Sequence, residues 1–198
     1  MDEDVARLPC DPQLLAQVRE AFGRVVYSHK THEKQADIDL GKYWMQQWAL
    51  IFLTAASSTT FLASLLDIFV DQQWANLSIA FIALLVTVMS IGALTFRFSD
   101  SSESHRDVAS KLWNVRESYL SLITDLMAGV ISDQDARGRR DVLQEEAHSV
   151  YVSAPRTGRC AYRRAHKALK LREEMTFTSQ EIDQFMPEAL RMNVNESS

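Results

Sequence analysis

Two long stretches without a formal charge limit the folds open to this chain more than any other feature of its sequence. Residues 43–66 form a run of 24 uncharged residues and residues 72–96 a run of 25, and the short segment between them carries Asp67 and Asp71. A helix needs about 20 mostly apolar residues to cross the hydrocarbon core of a bilayer. We therefore predict a transmembrane hairpin over residues 43–96, whose spans cover about 43–66 and 74–96 and are joined by a tight turn.

The distribution of positive charge sets the expected orientation of this hairpin. The turn has no Lys or Arg, whereas positive residues flank both outer ends of the hairpin: Lys30, Lys34, Lys42, Arg97, Arg106 and Lys111. Because such residues are retained on the cytoplasmic side of a membrane, both termini should be cytoplasmic. The rest of the chain is polar, and for that reason the whole composition, with 46% hydrophobic residues and a net charge of −5, is close to that of a soluble protein.

A helix is expected before the hairpin. Asp11 followed by Pro12 is a helix start signal, because Asp can cap the first turn and Pro is tolerated at the first helical position. The apolar residues behind it recur at helical spacing: Leu14, Leu15, Val18, Phe22, Val25 and Val26. We expect an amphipathic juxtamembrane helix over residues 11–42 and a disordered N-terminus over residues 1–10.

A second cytoplasmic helix is predicted after the hairpin, over residues 97–131. Its apolar residues alternate at spacings of four and three, as in a heptad seam: Val108, Leu112, Val115, Tyr119, Leu122 and Leu126. Such a seam fits either contacts between copies of the chain or the core of a bundle within one copy, and we favour the bundle. The polar residues 99–104 are compatible with a hinge or with a continuous helix.

Further cytoplasmic helices are expected over residues 132–192. One of them stops before Pro155, which cannot continue a helix. Another runs from about Arg159 to Glu174, and the capping-box sequence TSQE at residues 178–181 opens a short last helix. Residues 193–198 should be disordered. The predicted fold is all-α: an integral membrane protein with a two-helix transmembrane hairpin, whose N- and C-terminal cytoplasmic helices form a helical bundle.

The sequence gives no support for an enzyme. It lacks glycine-rich phosphate loops, zinc-binding motifs and a nucleophile elbow, so no catalytic residue, cofactor or metal is expected. His29 and His32, with Glu33 adjacent, come closest to a metal site, because a spacing of three residues places both imidazoles on one helix face. We interpret them as the polar face of the juxtamembrane helix. Cys10 and Cys160 lie far apart and are expected to be free thiols.

Polar and small residues form two stripes on the hairpin. On the first span we take one side as a candidate pore face: Gln47, Thr54, Ser57, Ser58 and Ser64. On the second span a stripe at four-three spacing suits close helix packing: Asn76, Ala80, Ala83, Thr87 and Ser90. Both stripes fit packing alone or, in an oligomer, an aqueous path. A single two-helix hairpin cannot enclose a channel, so a pore requires a homo-oligomer.

Charge is segregated near the C-terminus. Residues 147–172 contain no acidic residue, and we take six of their cations as a candidate anion- or signal-binding surface: Arg156, Arg159, Arg163, Arg164, Lys167 and Lys170. Residues 173–198 contain six acidic residues against Arg191. The basic block fits anionic lipid headgroups, a nucleotide or other phosphate ligand, or RNA, but also an internal clasp with the acidic tail or a solvated face.

The helix containing YSHKTHEKQADI, the tight hairpin and the helix containing WNVRESYLSLITDL together resemble the SLATT family, the SMODS- and SLOG-associating two-transmembrane effectors. The resemblance covers about residues 10–131, with the C-terminal helices as an extension. It implies an anti-phage or conflict effector in the bacterial inner membrane, which forms a depolarising pore when a partner enzyme signals. That partner would be a nucleotide-second-messenger synthase or a reverse transcriptase, and no DNA partner is expected. The alternative is a non-conducting membrane anchor that recruits a cytoplasmic defence enzyme.

Overall fold

The computed structural model describes residues 11–57, residues 72–187 and Arg191. These residues form helices and no strand, which confirms the all-α class. The helices are α1 (Pro12–Ala56), α2 (Gln72–Thr95), α3 (Phe98–Ala128), α4 (Asp133–Ser153), α5 (Arg159–Leu171) and α6 (Ser179–Phe185). Both predicted disordered ends, the predicted turn, Cys10 and two pore-face candidates, Ser58 and Ser64, lie outside the described residues.

Helix α1 begins as its sequence predicts. The Asp11 carboxylate accepts a hydrogen bond from the backbone N–H of Gln13 at 2.9 Å, and Pro12 occupies the first turn. The helix then continues without a break for 45 residues. It therefore joins the predicted juxtamembrane helix and the start of the first predicted span in one rigid element.

The connection between α2 and α3 shows whether residues 99–104 form a hinge or a continuous helix. These residues are helical and belong to the first turns of α3, and the break lies just before them, at Phe96 and Arg97. At its other end α3 stops at Gly129, whose φ of 70° lies in the left-handed region that glycine adopts without a Cβ clash. Its end is therefore set by this glycine, two residues before the predicted end at residue 131.

The heptad residues of α3 lie in the interior of the chain. Each of the six predicted seam residues is at most 4% exposed, and together with residues of α1 and α4 they form one apolar core. The α1 side of this core is Leu14, Val18, Ala21 and Val25, and the α4 side is Leu143, Ala147 and Val150. The seam is thus occupied within one copy, so it is not a surface open to a second copy.

Helices α5 and α6 are attached differently. Three alanines of α5, Ala161, Ala165 and Ala168, are buried, and α5 packs against α1. Because alanine has the smallest side chain after glycine, this stripe brings the two helix backbones close together. Helix α5 ends at Leu171, three residues before the predicted end. Helix α6 opens with the predicted capping box between Thr178 and Glu181, and none of its residues is buried.

The described surface of α2 and of the end of α1 is apolar and exposed. Among the described residues one helical stretch, within Asn76–Ala128, is long and apolar enough to cross a membrane, and none of its most apolar part is buried inside the chain. Large apolar side chains cover this region and the end of α1: Trp44, Met45, Trp48, Ile51, Phe52, Trp74, Leu77, Phe81, Leu84, Val88, Ile91, Leu94 and Phe96. A continuous apolar surface of this kind is typical of contact with lipid chains.

Candidate functional site

The candidate pore face on α1 is split between two environments. Gln47 and Ser57 are half-buried, in a stretch of α1 that contacts α2, while Thr54 is exposed. Within the described part of the chain, neither Gln47 nor the adjacent Gln46 has a hydrogen-bond partner. A primary amide has two N–H donors and a carbonyl acceptor, and leaving them unpaired in hydrocarbon is costly. In a membrane these two amides therefore require water or a polar neighbour.

The hydroxyl donors of Ser57, Thr87 and Ser90 already have hydrogen-bond partners within their own helices. Ser57 donates to the carbonyl oxygen three residues before it at 2.9 Å, and Thr87 and Ser90 donate to the carbonyl four residues before them at 2.9 and 2.7 Å. A hydroxyl that bonds to its own helix can face lipid at little cost. These hydroxyls are therefore compatible with a packed contact, with lipid or with water, and the candidate pore face stays a prediction.

Among the described residues, the predicted packing stripe of the second span lies away from α1. All five of its residues, Asn76, Ala80, Ala83, Thr87 and Ser90, are exposed. The half-buried residues of α2 lie on another face: Ser78, Ile79, Ile82, Leu85, Val86, Met89, Gly92 and Ala93. Spacing alone does not distinguish which of two faces meets the neighbouring helix. A role for the small-residue stripe in packing concerns contacts with other chains and stays a prediction.

Below the hairpin, the seam between α1 and α3 changes from apolar to polar while keeping its helical spacing. The buried face of α1 runs through Leu14, Val18, Ala21, Val25, His29, His32, Ala36 and Asp39. The facing residues of α3 are Ser102, His105, Val108, Leu112, Val115, Tyr119, Leu122 and Leu126. We call the membrane-proximal end of this seam the polar junction, comprising His29, His32, Gln35, Asp39, Ser101, Ser102 and His105.

Asp39 is the centre of the polar junction. It is 4% exposed, and its carboxylate accepts hydrogen bonds from Lys42 at 2.8 Å, Ser101 at 2.9 Å and Gln35 at 3.1 Å. Burial by itself would raise the pKa of the Asp39 carboxyl, but these three donors outweigh burial, and the pKa is lowered. Asp39 therefore stays ionised and ties α1 to the first turn of α3.

A histidine pair lies beside this carboxylate. The Nδ1 atoms of His32 and His105 are 2.9 Å apart, so one must donate and the other accept, which requires different tautomers. Burial, followed by the charges of His105 and His29, lowers the pKa of His32 to about 4, and burial lowers the pKa of His105. His29 bonds through Nδ1 to the carbonyl oxygen of Ala109 at 2.9 Å.

His29 and His32, predicted to lie on the polar face of the juxtamembrane helix, are instead on its buried face, since each is only 6% exposed. Within the described residues, no group of three or more potential ligands has the geometry to hold a metal. His105 has no sequence motif and lies 73 residues from His32. The signal that could have found it is the continuation of the four-three spacing of α3 backwards from Val108.

We expect the stability of the polar junction to depend on pH. An unfolded histidine binds a proton near pH 6.5, whereas folded His32 does so only near pH 4. The contribution of His32 to the free energy of unfolding should therefore be largest above pH 6.5. It should decrease as the pH drops towards 4, by up to about 1.4 kcal/mol per pH unit for one proton. Urea titrations of the protein in detergent at a series of pH values measure this.

His32→Gln should flatten this dependence, because an amide does not titrate in that range. His148→Gln is the matched control, since His148 is exposed on α4, and it should leave the dependence intact. A pH dependence that survives His32→Gln and His105→Gln together would contradict the assignment to this pair.

The predicted anion-binding surface is exposed along α5 and the segment before it. Arg156, Arg159, Arg163, Arg164, Lys167 and Lys170 are all exposed, and the described part of the chain gives none of them an ion pair. Arg159 and Arg163, like Arg163 and Lys167, stand four residues apart on the helix, a spacing at which like charges repel. The surface thus carries concentrated positive charge that the described residues do not neutralise.

The described part of the acidic tail contributes a carboxylate to α1 instead of to this surface. Glu174 bonds to Lys34 at 3.0 Å and pairs with Lys30 at 3.1 Å. Burial opposes the charged form of Lys30, but hydrogen bonds to Glu33 and Glu174 outweigh it and raise its pKa. Glu174 also lies 3.9 Å from the guanidinium of Arg172 at the end of α5, but among the described residues it pairs with none of the six predicted cations.

Comparison with known proteins identifies one related family. The family described as "SMODS and SLOG-associating 2TM effector domain family 4" matches residues 14–181. The match extends beyond residues 10–131, where the resemblance is evident in the sequence, and it includes α4 and α5. No curated protein and no solved structure matches the chain.

Proposed function

The chain belongs to the SMODS and SLOG-associating 2TM effector domain family, and on this premise we propose that it is a pore-forming membrane effector of a bacterial conflict or anti-phage system. Copies of the chain would oligomerise in the inner membrane, with both termini in the cytoplasm. A partner enzyme, either a nucleotide-second-messenger synthase or a reverse transcriptase, would supply the signal that opens the pore and depolarises the cell. The family itself is one of membrane effector domains and not a known enzyme family.

The observation that carries the pore proposal is the pair of unpartnered amides at Gln46 and Gln47. Both are half-buried on the membrane-entering part of α1. In lipid their donors would be unsatisfied, whereas in a water-filled path between several hairpins they are solvated. Thr54 lies two turns further along α1 and is exposed, so in this proposal it continues the polar path.

The polar junction is suited to hold the closed state. It joins α1 to α3 directly below the point where α1 enters the hairpin. An activating signal must bind the open arrangement more tightly than the closed one, because equal affinity for both states shifts no population. In our proposal the signal acts on the cytoplasmic helices, and the cations of α5 receive it.

Replacing Gln47 and Thr54 together by leucine is expected to abolish depolarisation in cells where the chain and its partner enzyme are both induced. Leucine removes the polar groups that would line the path and makes this face suitable for lipid. The measurement is membrane potential, reported by a voltage-sensitive dye in living cells.

Phe52→Leu is the matched control, because Phe52 is an exposed apolar residue of the same helix segment and should tolerate leucine without effect. Membrane levels of all variants are compared by immunoblot. An unchanged potential in wild-type cells, despite a triggered partner and full expression, would refute the pore.

The alternative is a non-conducting membrane anchor that recruits a cytoplasmic defence enzyme. It is favoured by the hydroxyls of Ser57, Thr87 and Ser90, whose donors are satisfied within their own helices. Under this alternative the Gln47→Leu, Thr54→Leu variant keeps its toxicity, and the partner enzyme co-purifies with the chain.

A further inference from the structure

We infer that the exposed face of α5 binds single-stranded nucleic acid, through its phosphates and bases together. The biological role of this binding rests on the proposed function, in which the same surface receives the activating signal. The binding itself is a separate property. Its tests measure nucleic-acid affinity, not conduction, so the failure of one proposal can be told from the failure of the other.

The exposed face of α5 alternates cations with aromatic rings. With 100° between successive residues, five side chains fall within about a third of the helix circumference, on the side away from the buried alanines. They are Arg159, Tyr162, Arg163, His166 and Lys170. Arg and Lys pair with phosphates, and aromatic rings stack on unpaired bases. The combination is that of a surface for single-stranded nucleic acid.

The aromatic part of this face is ordered by α1. The ring of Tyr162 stacks on that of Tyr27 with 6.2 Å between centroids, and the Tyr27 hydroxyl lies 3.2 Å from Nδ1 of His166. Tyr162 nevertheless remains 54% exposed. A ring held by a neighbour on one side and open to solvent on the other can accept a base with little loss of side-chain entropy.

Helix α5 runs along α1 away from the predicted span, so a membrane surface could not contact the whole of its exposed face. The backbone N–H of Gly158 donates to the Gln35 side chain at 2.9 Å, which fixes the start of α5 eight residues below Tyr43. Its far end, at Lys170, lies beside Gly23. At 1.5 Å per residue along α1, these points are about 12 and 30 Å from the start of the span. Physiological salt screens charges beyond about 8 Å.

The spread of the cations favours a polymer over a mononucleotide. Arg159 and Lys170 are 11 residues apart, which is about 16 Å along the helix. The cations point outward from a convex helix and do not converge on one point. A single nucleotide could reach one or two of them, whereas a flexible strand can follow all of them. Duplex bases are unavailable to Tyr162, so the strand must be single.

The test is fluorescence anisotropy of a labelled oligouridylate with the full chain in nanodiscs of neutral lipid. Replacing Arg159, Arg163 and Lys170 by glutamine should weaken binding at least tenfold. It should also make the negative slope of log affinity against log salt concentration shallower by about 2, as expected for three lost phosphate contacts. Tyr162→Ala should weaken binding about fivefold or more without changing that slope.

The matched control removes the same charge elsewhere. Lys111, Arg137 and Arg139 are exposed cations paired with Asp107, Asp11 and Asp125. Glutamine at all three positions changes the net charge equally and should leave the affinity within twofold of wild type. An equal loss in both triple variants would show an effect of net charge alone and would overturn the inference.

Three competing ligands give distinct results, each of which contradicts the binding of single-stranded nucleic acid. Uridine monophosphate that competes as well as the oligomer at equal phosphate concentration would indicate a mononucleotide site. Duplex DNA that binds as tightly would exclude base stacking. Slower hydrogen exchange over residues 159–171 in phosphatidylglycerol nanodiscs, without any oligouridylate affinity, would identify the membrane surface as the ligand.

Discussion

Replacing Leu112 by alanine is expected to lower the free energy of unfolding by about 3 kcal/mol, within the range for a fully buried leucine. Leu112 is 0% exposed and lies in the middle of the core that α3 forms with α1 and α4. Truncation removes buried apolar area and leaves a cavity that rigid helices on both sides cannot close. Urea unfolding of the full chain in detergent, followed by circular dichroism, measures the change.

The matched control for this substitution is Leu120→Ala. Leu120 lies on the same helix but is 45% exposed, so its truncation should cost less than about 1 kcal/mol. The two variants also separate the two explanations of the heptad seam. If the seam joined copies of the chain, Leu112→Ala would alter the oligomeric state and leave the stability of each copy unchanged.

Asp39→Ala is expected to have a comparable effect, lowering the free energy of unfolding by about 3 kcal/mol. The substitution leaves the buried Gln35 amide and the Ser101 hydroxyl without the acceptor they now share, and it removes the partner of Lys42. Because Ser101 lies on α3, the loss should open the contact between α1 and α3 at the membrane-proximal end. Hydrogen exchange should therefore accelerate over residues 99–106 more than over the apolar part of α3.

Asp107→Ala provides the comparison for Asp39→Ala. Asp107 also pairs with a lysine, Lys111 at 2.7 Å, but both side chains are more than half exposed. An exposed pair on a helix contributes about 0.5 kcal/mol or less, so this variant should unfold at nearly the wild-type urea concentration. Equally small losses in the free energy of unfolding for the two substitutions would show that the network around Asp39 is not structurally important.

Much of the helical structure could be predicted from sequence because its signals are local. Asp11 with Pro12 marks the start of α1, Gly129 marks the end of α3, and the capping box at Thr178 opens α6. The heptad spacing from Val108 to Leu126 identifies the residues of α3 that are buried. Each of these features depends on residues within a few positions of one another.

The polar junction could not be predicted in the same way, because its contacts join residues distant in sequence. Ser101 reaches Asp39 over 62 residues and His105 reaches His32 over 73. A search for apolar spacing ends at Val25 and Val108, where the seam becomes polar. The spacing itself continues, and extending it without regard to polarity would have placed these histidines and Asp39 on the buried face.

The unbroken length of α1 has a mechanical consequence. The helix measures about 68 Å from Pro12 to Ala56, and the Asp39 contact divides it into arms of about 40 and 26 Å. Pivoting there, a 4 Å sideways displacement of the cytoplasmic end would swing the membrane end by about 2.5 Å the opposite way. Helix α2 does not continue in the same way, because the helix is interrupted at Phe96 and Arg97, before α3 begins. A displacement of the N-terminal end of α1 would therefore tilt its other end past α2.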